Sequence, residues 1–305
     1  MSAEPPIAYL PRIRSYYQAL GYGEPYRWVQ YADVPFRKLT MPLPRARVAL
    51  VTTAAPYQPG KGDQGPGAPY NAATKFYRVY SDETSSDPDL RISHVAIDRA
   101  HTTAEDQNSY FPLAALRRAV SAKRIGAVTP HFFGLPTNRS QRTTLDVDCV
   151  DLLDLVRLDA ADAAILVANC PVCHQSVSLA ARVLENAGIA TVIMGCARDI
   201  VEHVGVPRLL FSDFPLGNSA GRPHDRESQT VTLELALRLL ETATAARSTL
   251  QSPLRWSDSD DWKLDYANIE RLAPEEIERR RAEFDRGKQD AKLGRAGPAA
   301  GNADA

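Results

Sequence analysis

The sequence predicts an α/β fold: a mainly parallel sheet flanked by helices, with an N-terminal arm before it and a C-terminal helical, partly disordered tail after it. Three observations point there. Short apolar runs alternate with stretches of helical period. One run, Ala163–Ala168, is apolar throughout, as a strand covered on both faces requires. Gly188 closes a helical stretch where a left-handed residue is favoured.

Residues 1–44 read as the arm, with a helix over 7–20 and then Tyr22, Tyr26, Trp28, Tyr31 and Phe36 in an irregular, proline-rich segment. Aromatics in such a segment signal packing before ligand stacking. The α/β domain is placed at 45–250. Its strands are expected at Val48–Val51, Ile92–Ile97, Ile125–Val128, Ala163–Ala168, Ile189–Met194 and Arg208–Phe211. Its helices are expected at Pro112–Lys123, Cys149–Leu158, Val172–Ala187, Asp199–His203 and Gln229–Ala246. Residues 251–305 form the tail: a charged helix over 274–290, then a low-complexity stretch from Gly294 to Ala305 that is expected to be disordered.

At 305 residues, with 44% hydrophobic and 24% charged, the chain is long enough to bury a sizeable core. Its 36 basic and 37 acidic residues nearly cancel, so no electrostatic field favours nucleic acid or an anionic membrane. The Arg279–Arg281 run is interleaved with glutamates and reads as a solvated helix face. No apolar run is long enough to span a bilayer, and the first twenty residues lack an export-signal pattern. A cytoplasmic, reducing location is therefore expected, with the four cysteines as thiols, ligands or catalysts.

The chemistry concentrates at Asn169-Cys170-Pro171-Val172-Cys173-His174, where a strand passes into a helix. Proline is favoured at the first helical position, which makes Cys170 the N-cap and Cys173 the third helical residue. There a thiolate at Cys170 would gain amide hydrogens and the positive end of the helix dipole, both of which lower its pKa. Cys170 is the expected nucleophile, open to incoming molecules. Cys173 is the expected resolving thiol, and His174 a proton carrier. The letters C-x-x-C-H also match covalent haem attachment, but that chemistry belongs outside the cytoplasm. A zinc-binding structural or interaction module using Cys170, Cys173 and Cys196 is the alternative, since Cys196 follows the neighbouring strand. Cys149 reads as a small core residue.

Polar residues that follow other strands are candidates for the substrate. His101, Asp106 and Asn108 lie in one loop, His131 in another, and Asn218 and Arg222 in a third beside Gly217 and Gly221. Nothing matches a dinucleotide or phosphate-binding loop, and no cofactor is expected on this chain.

The order of Asp106-Gln-Asn-Ser-Tyr-Phe-Pro112, Ile125-Gly126, Cys170-x-x-Cys173, Leu184-Glu-x-x-Gly-Ile189, Gly205-Val-Pro-Arg208 and Phe214-Pro-Leu-Gly217 resembles the glycine/sarcosine/betaine reductase selenoprotein B family, which includes the selenoprotein subunit of D-proline reductase. The resemblance spans about residues 45–245. It implies a dithiol-dependent oxidoreductase that reductively cleaves a carbon–nitrogen bond of a small amino-acid-like substrate and is restored by a thiol electron donor. It also implies a partner subunit bearing a pyruvoyl group, and a homo-oligomer is expected. The family's redox motif falls on Cys170 and Cys173, with cysteine where the anaerobic enzymes use selenocysteine.

Overall fold

Every residue of Ala163–Val167 and of Ala190–Gly195 is buried, because both strands lie inside a sheet covered on its two faces. The structure is a computed structural model that describes residues 4–21, 23–282 and 285–286. In chain order the strands are β1 (Arg47–Thr52), β2 (Ala55–Pro56), β3 (Tyr80–Glu83), β4 (Leu90–Arg91), β5 (Ala127–Val128), β6 (His131–Gly134), β7 (Ala163–Val167), β8 (Ala190–Gly195), β9 (Arg208–Phe211) and β10 (Ser248–Gln251). The helices are α1 (Tyr9–Ala19), α2 (Leu113–Ser121), α3 (Gln141–Thr143), α4 (Cys149–Leu158), α5 (Pro171–Asn186), α6 (Arg198–Val204) and α7 (Arg226–Thr242).

The main sheet runs β10-β9-β8-β7-β1-β6-β3, with β5 paired to the start of β1. All its pairs are parallel except β3 with β6; β2 and β4 form a separate antiparallel pair. From β1 the chain moves to β5 and β6, whereas from β7 it moves the other way, to β8, β9 and β10. Connections therefore diverge between the neighbours β1 and β7, and the carboxyl ends of those two strands are where an open α/β sheet places its ligands. Thr53 and the Asn169–Cys170 pair stand there.

The chain divides into two compact units: residues up to 9 with 28–263, and residues 10–27 with those from 264 onward. In the first, the segment after Trp28 is fastened to α5. Val29 donates its amide to Gln175 Oε1 (2.8 Å), the Arg182 guanidinium lies 3.9 Å from the Tyr31 ring centre, and Arg37 donates its amide to Glu185. Among the arm aromatics, Tyr31 packs in this way, as the sequence predicts, and Tyr22 lies outside the described residues. In the second unit, residues 274–282 are helical, and Arg279 and Arg280 both pair with Glu276. The low-complexity stretch from Gly294 lies outside the described residues. Among the described residues, no helix is long and apolar enough to cross a membrane.

Ile92–Ile97 is not a strand, contrary to the sequence expectation. It is a turn two of whose carbonyls are claimed by a side chain: Arg99 donates to Ser93 O (2.8 Å) and Val95 O (3.0 Å), and its third bond, to Ala68 O (2.9 Å), anchors the guanidinium. A guanidinium with five donors replaces the ladder that a strand would need. Strands β3 and β10 lie in sequences with no apolar run and are held by their pairing partners.

Candidate active site

Cys170 is the N-cap of α5, as Pro171 at the first helical position predicts, and its sulfur accepts the Cys173 amide at 3.2 Å. The two sulfurs are joined as a disulfide, with Cα atoms 4.9 Å apart. They are not open to solvent: Cys170 is 4% exposed and Cys173 fully buried. The expectation of an exposed pair is corrected on this point. Both sulfurs belong to the buried core, which a strand–helix junction read in isolation does not reveal.

His174 has another task than proton transfer. Its Nε2 accepts the amides of Cys196 (2.9 Å) and Ala197 (3.0 Å), so Nδ1 carries the proton and donates it to the Cys170 carbonyl at 2.7 Å. Both nitrogens are thus spent on backbone. Burial drives the ring pKa down to about 4 against the opposing pull of the Cys170 carbonyl, keeping it neutral. The ring staples the start of α5 to the end of β8. It fits because residue 195 is glycine, where a β-carbon would meet the ring at 2.9 Å.

Cys196 is buried beside Ser219, Sγ to Oγ 3.4 Å, and Ser219 donates to the Ala168 carbonyl. Burial pushes the Cys196 thiol up to about 12, the Ser219 hydroxyl opposing, so it stays protonated. Among the described residues, no three His, Cys, Asp or Glu side chains converge as a metal site. With His174 turned to backbone and two sulfurs bonded to each other, the zinc arrangement is not assembled. Cys149 is a buried thiol also pushed up to about 12, first by burial and then by Asp148.

The other candidates fall into two places. Loops 98–112 and 214–225 knit together at the carboxyl end: Asp98 N donates to Leu216 O (2.9 Å), Thr102 Oγ1 to Asn218 Oδ1 (3.4 Å) and Ala220 N to Ser109 O (2.8 Å). Asn218 is fully buried there. Asp106 accepts from the Asn108 amide and side chain, the His224 amide and Gln229. Burial opposes its charge, but these donors outweigh it and hold the carboxyl below its usual range. Asp106 and Asn108 therefore organise the loop. His101 bonds Asp98 at 3.0 Å, and Arg222 is paired with Asp225 at 2.6 Å, so its charge is already matched. His131 stands elsewhere. It bonds Asp159, whose carbonyl accepts from Arg47 at the start of β1, so it lies at the amino end of the sheet, away from the sulfurs.

Two residues that the sequence reading did not single out lie against Thr53 at the end of β1. Asn169 is buried and donates from Nδ2 to Thr53 Oγ1 (3.1 Å), while Thr53 Oγ1 donates to Val167 O (3.3 Å). The second, His94, is 1% exposed, its ring packed on Phe76 with centroids 5.6 Å apart. A polar residue inside the apolar run Ile92–Ile97, and an asparagine at a strand's carboxyl end beside the dithiol, were the available signals.

The chain is similar to a D-proline reductase subunit. That protein, subunit gamma from Acetoanaerobium sticklandii, is 26% identical over 220 residues, covering 72% of this chain and 88% of the relative. The similarity supports a relation to reductases of this kind, in line with the ordered motifs. No family model matches the chain, and no solved structure matches it.

Proposed function

We propose that the chain is a reductase subunit in which Cys170 and Cys173 cycle between dithiol and disulfide while a carbon–nitrogen bond of a small amino-acid-like substrate is cleaved. One observation carries this reading: the two sulfurs meet at the first turn of α5, where the Cys173 amide points at the Cys170 sulfur. In the reduced protein that amide and the helix dipole favour a thiolate at Cys170. The similarity to a D-proline reductase subunit supports the same chemistry.

In the forward step the Cys170 thiolate attacks carbon, and the amine leaves with a proton. Cys173 then attacks the Cys170 sulfur, the carbon–sulfur bond breaks, and the released carbanion, stabilised by an adjacent carboxylate, takes a proton. Carbon and nitrogen each gain one hydrogen, and the two thiols lose two electrons to become the disulfide. A small-molecule or protein thiol returns those electrons in a reducing compartment. Cys170, the more exposed sulfur, is the entering one. Substrate admission requires the surrounding loops to open.

A partner polypeptide belongs to this reading, because the relative is named as a subunit. The pyruvoyl group implied by the sequence resemblance sits on that partner. The test is turnover and thiol titre of Cys170→Ser and Cys173→Ser, assayed with dithiothreitol, with and without the co-purified partner. Loss in both supports the cycle. Unchanged turnover in both, or a wild-type pair that resists alkylation after reduction, refutes it.

A further inference from the structure

Residues Gln141–Leu158 form one continuous helix, because a single π-helical turn, Thr144–Asp148, joins α3 to α4. Its inward stripe is complete. Thr144, Asp148, Cys149, Leu152 and Val156 are buried, and α4 packs against α5, the helix that begins at the dithiol. A surface helix that has buried one stripe carries polar residues on the other. This one does not. Leu158 is 80% exposed, Val150 49% and Val147 47%, half of the exposed large hydrophobic side chains among the described residues. One exposed leucine calls for no explanation, whereas three apolar side chains along one side of one helix mark a contact.

The charges on the same helix are also unclaimed. Arg142, Asp146, Asp151, Asp154 and Arg157 are exposed, and none of them forms an ion pair among the described residues. Leu158 follows Val147 by eleven residues, and Arg157 follows Asp146 by the same eleven, about three helical turns. A second copy laid antiparallel on the first, about a two-fold axis at the middle of that span, puts each Leu158 against the Val147 opposite. The same placement puts each Arg157 beside the Asp146 opposite. An apolar pair and an opposite-charge pair thus come into register together, and symmetry makes each of them twice. Such self-complementarity is what an isologous two-fold interface requires, and a partner of different sequence has no need of it.

We propose that α4 is the surface on which two copies of this chain pair, antiparallel, with Leu158 of each copy on Val147 of the other and Arg157 of each beside Asp146 of the other. The pairing is independent of the reductase reading, since it needs neither sulfur. One helix from each copy buries about 1,200 Å² or less in total, the lower end of specific interfaces, so the dimer dissociates in the micromolar range. Asp151 and Asp154 come closest to the axis, where the carboxylates of the two copies repel, and this weakens the contact further. Because α4 packs on α5, pairing backs the helix that carries the dithiol.

The test is sedimentation velocity of the full-length chain from about 1 to 200 μM, with circular dichroism on each variant to establish that it folds. The wild type is expected to pass from monomer to dimer across that range. Leu158→Glu should weaken the dimer about tenfold or more. Asp146→Arg and Arg157→Asp should each weaken it about fivefold, and the two together should restore it, because the exchanged charges pair again. Asp154→Asn should tighten it about threefold, an effect that no loss of fold imitates. A wild type that stays monomeric overturns the proposal and leaves the face to a polypeptide of other sequence. A dimer indifferent to Leu158→Glu lies on another surface and overturns it as well. A double exchange as weak as either single change overturns the antiparallel arrangement.

Discussion

The two ends of the central sheet are built on opposite rules. At the amino end, Glu185 from α5 accepts from Arg208 at 2.7 Å and from the amide and hydroxyl of Thr191, and it receives the Arg37 amide. Both charged side chains are wholly buried. Nearby, Arg47 and His131 are tied to Asp159. At the carboxyl end the groups nearest the sulfurs, His174 and Cys196, are kept neutral, the sulfurs are bonded to each other, and Asn169 Oδ1 and Ser212 Oγ stand unmatched. The amino end stores stability and the carboxyl end gives it up, as a site that must exchange partners requires.

The sharpest way to break this contrast is to strike each end separately. Cys170→Ser is expected to lower turnover on the order of a thousandfold while leaving stability nearly that of the reduced wild type, because serine is itself a favoured N-cap and can accept the Cys173 amide. Steady-state rates and urea unfolding on one preparation check both halves. Glu185→Leu should do the reverse. Arg208 would be left buried without its counter-charge, costing about 3–5 kcal/mol in denaturant unfolding, with the activity of the remaining folded protein retained. A large loss of turnover per folded molecule would show that the two ends are not separate.

Acid sharpens the same division. In the folded protein His174 stays neutral down to about 4, whereas in the unfolded chain it takes a proton near its ordinary value of 6.5. Between those limits the unfolded state binds more protons, so stability falls as pH falls through the window. His174 alone contributes on the order of 3 kcal/mol, and buried His94 extends the loss toward pH 3. Unfolding free energies measured at intervals from pH 7 to 4 check this, and a flat profile would contradict a buried neutral ring. The smallest effect belongs to Cys196→Ala, expected to cost about 1 kcal/mol in unfolding and to change turnover less than about twofold. A large drop would bring a third sulfur into the chemistry.

Most of the scaffold was legible from β7 onward, because there strand and helix periods are uninterrupted and α5 begins on a proline. The same local signal placed Cys170 at the N-cap. What sequence could not show was everything settled by distant partners. Ile92–Ile97 has the composition of a strand, yet the Arg99 guanidinium, anchored on Ala68 O, holds it as a turn. His131 stands beside apolar residues as a site histidine would, but Asp159, 28 residues on, holds it at the wrong end. His174 has the right neighbours for acid–base work and loses that role to two amides more than twenty residues away. Burial of the sulfurs depends on core neighbours from other elements, which no local pattern encodes.

The fastening of α5 to β8 has a further consequence. It runs through the carbonyl of one residue and the amides of two others, all atoms that every amino acid except proline possesses. The joint itself therefore asks nothing of the side chains at 196 and 197, which only their burial restricts to small residues. Position 195 has no such latitude, since even a single methyl group there would evict the imidazole. A library randomised across 195–197 would return glycine at the first position and small residues other than proline at the next two.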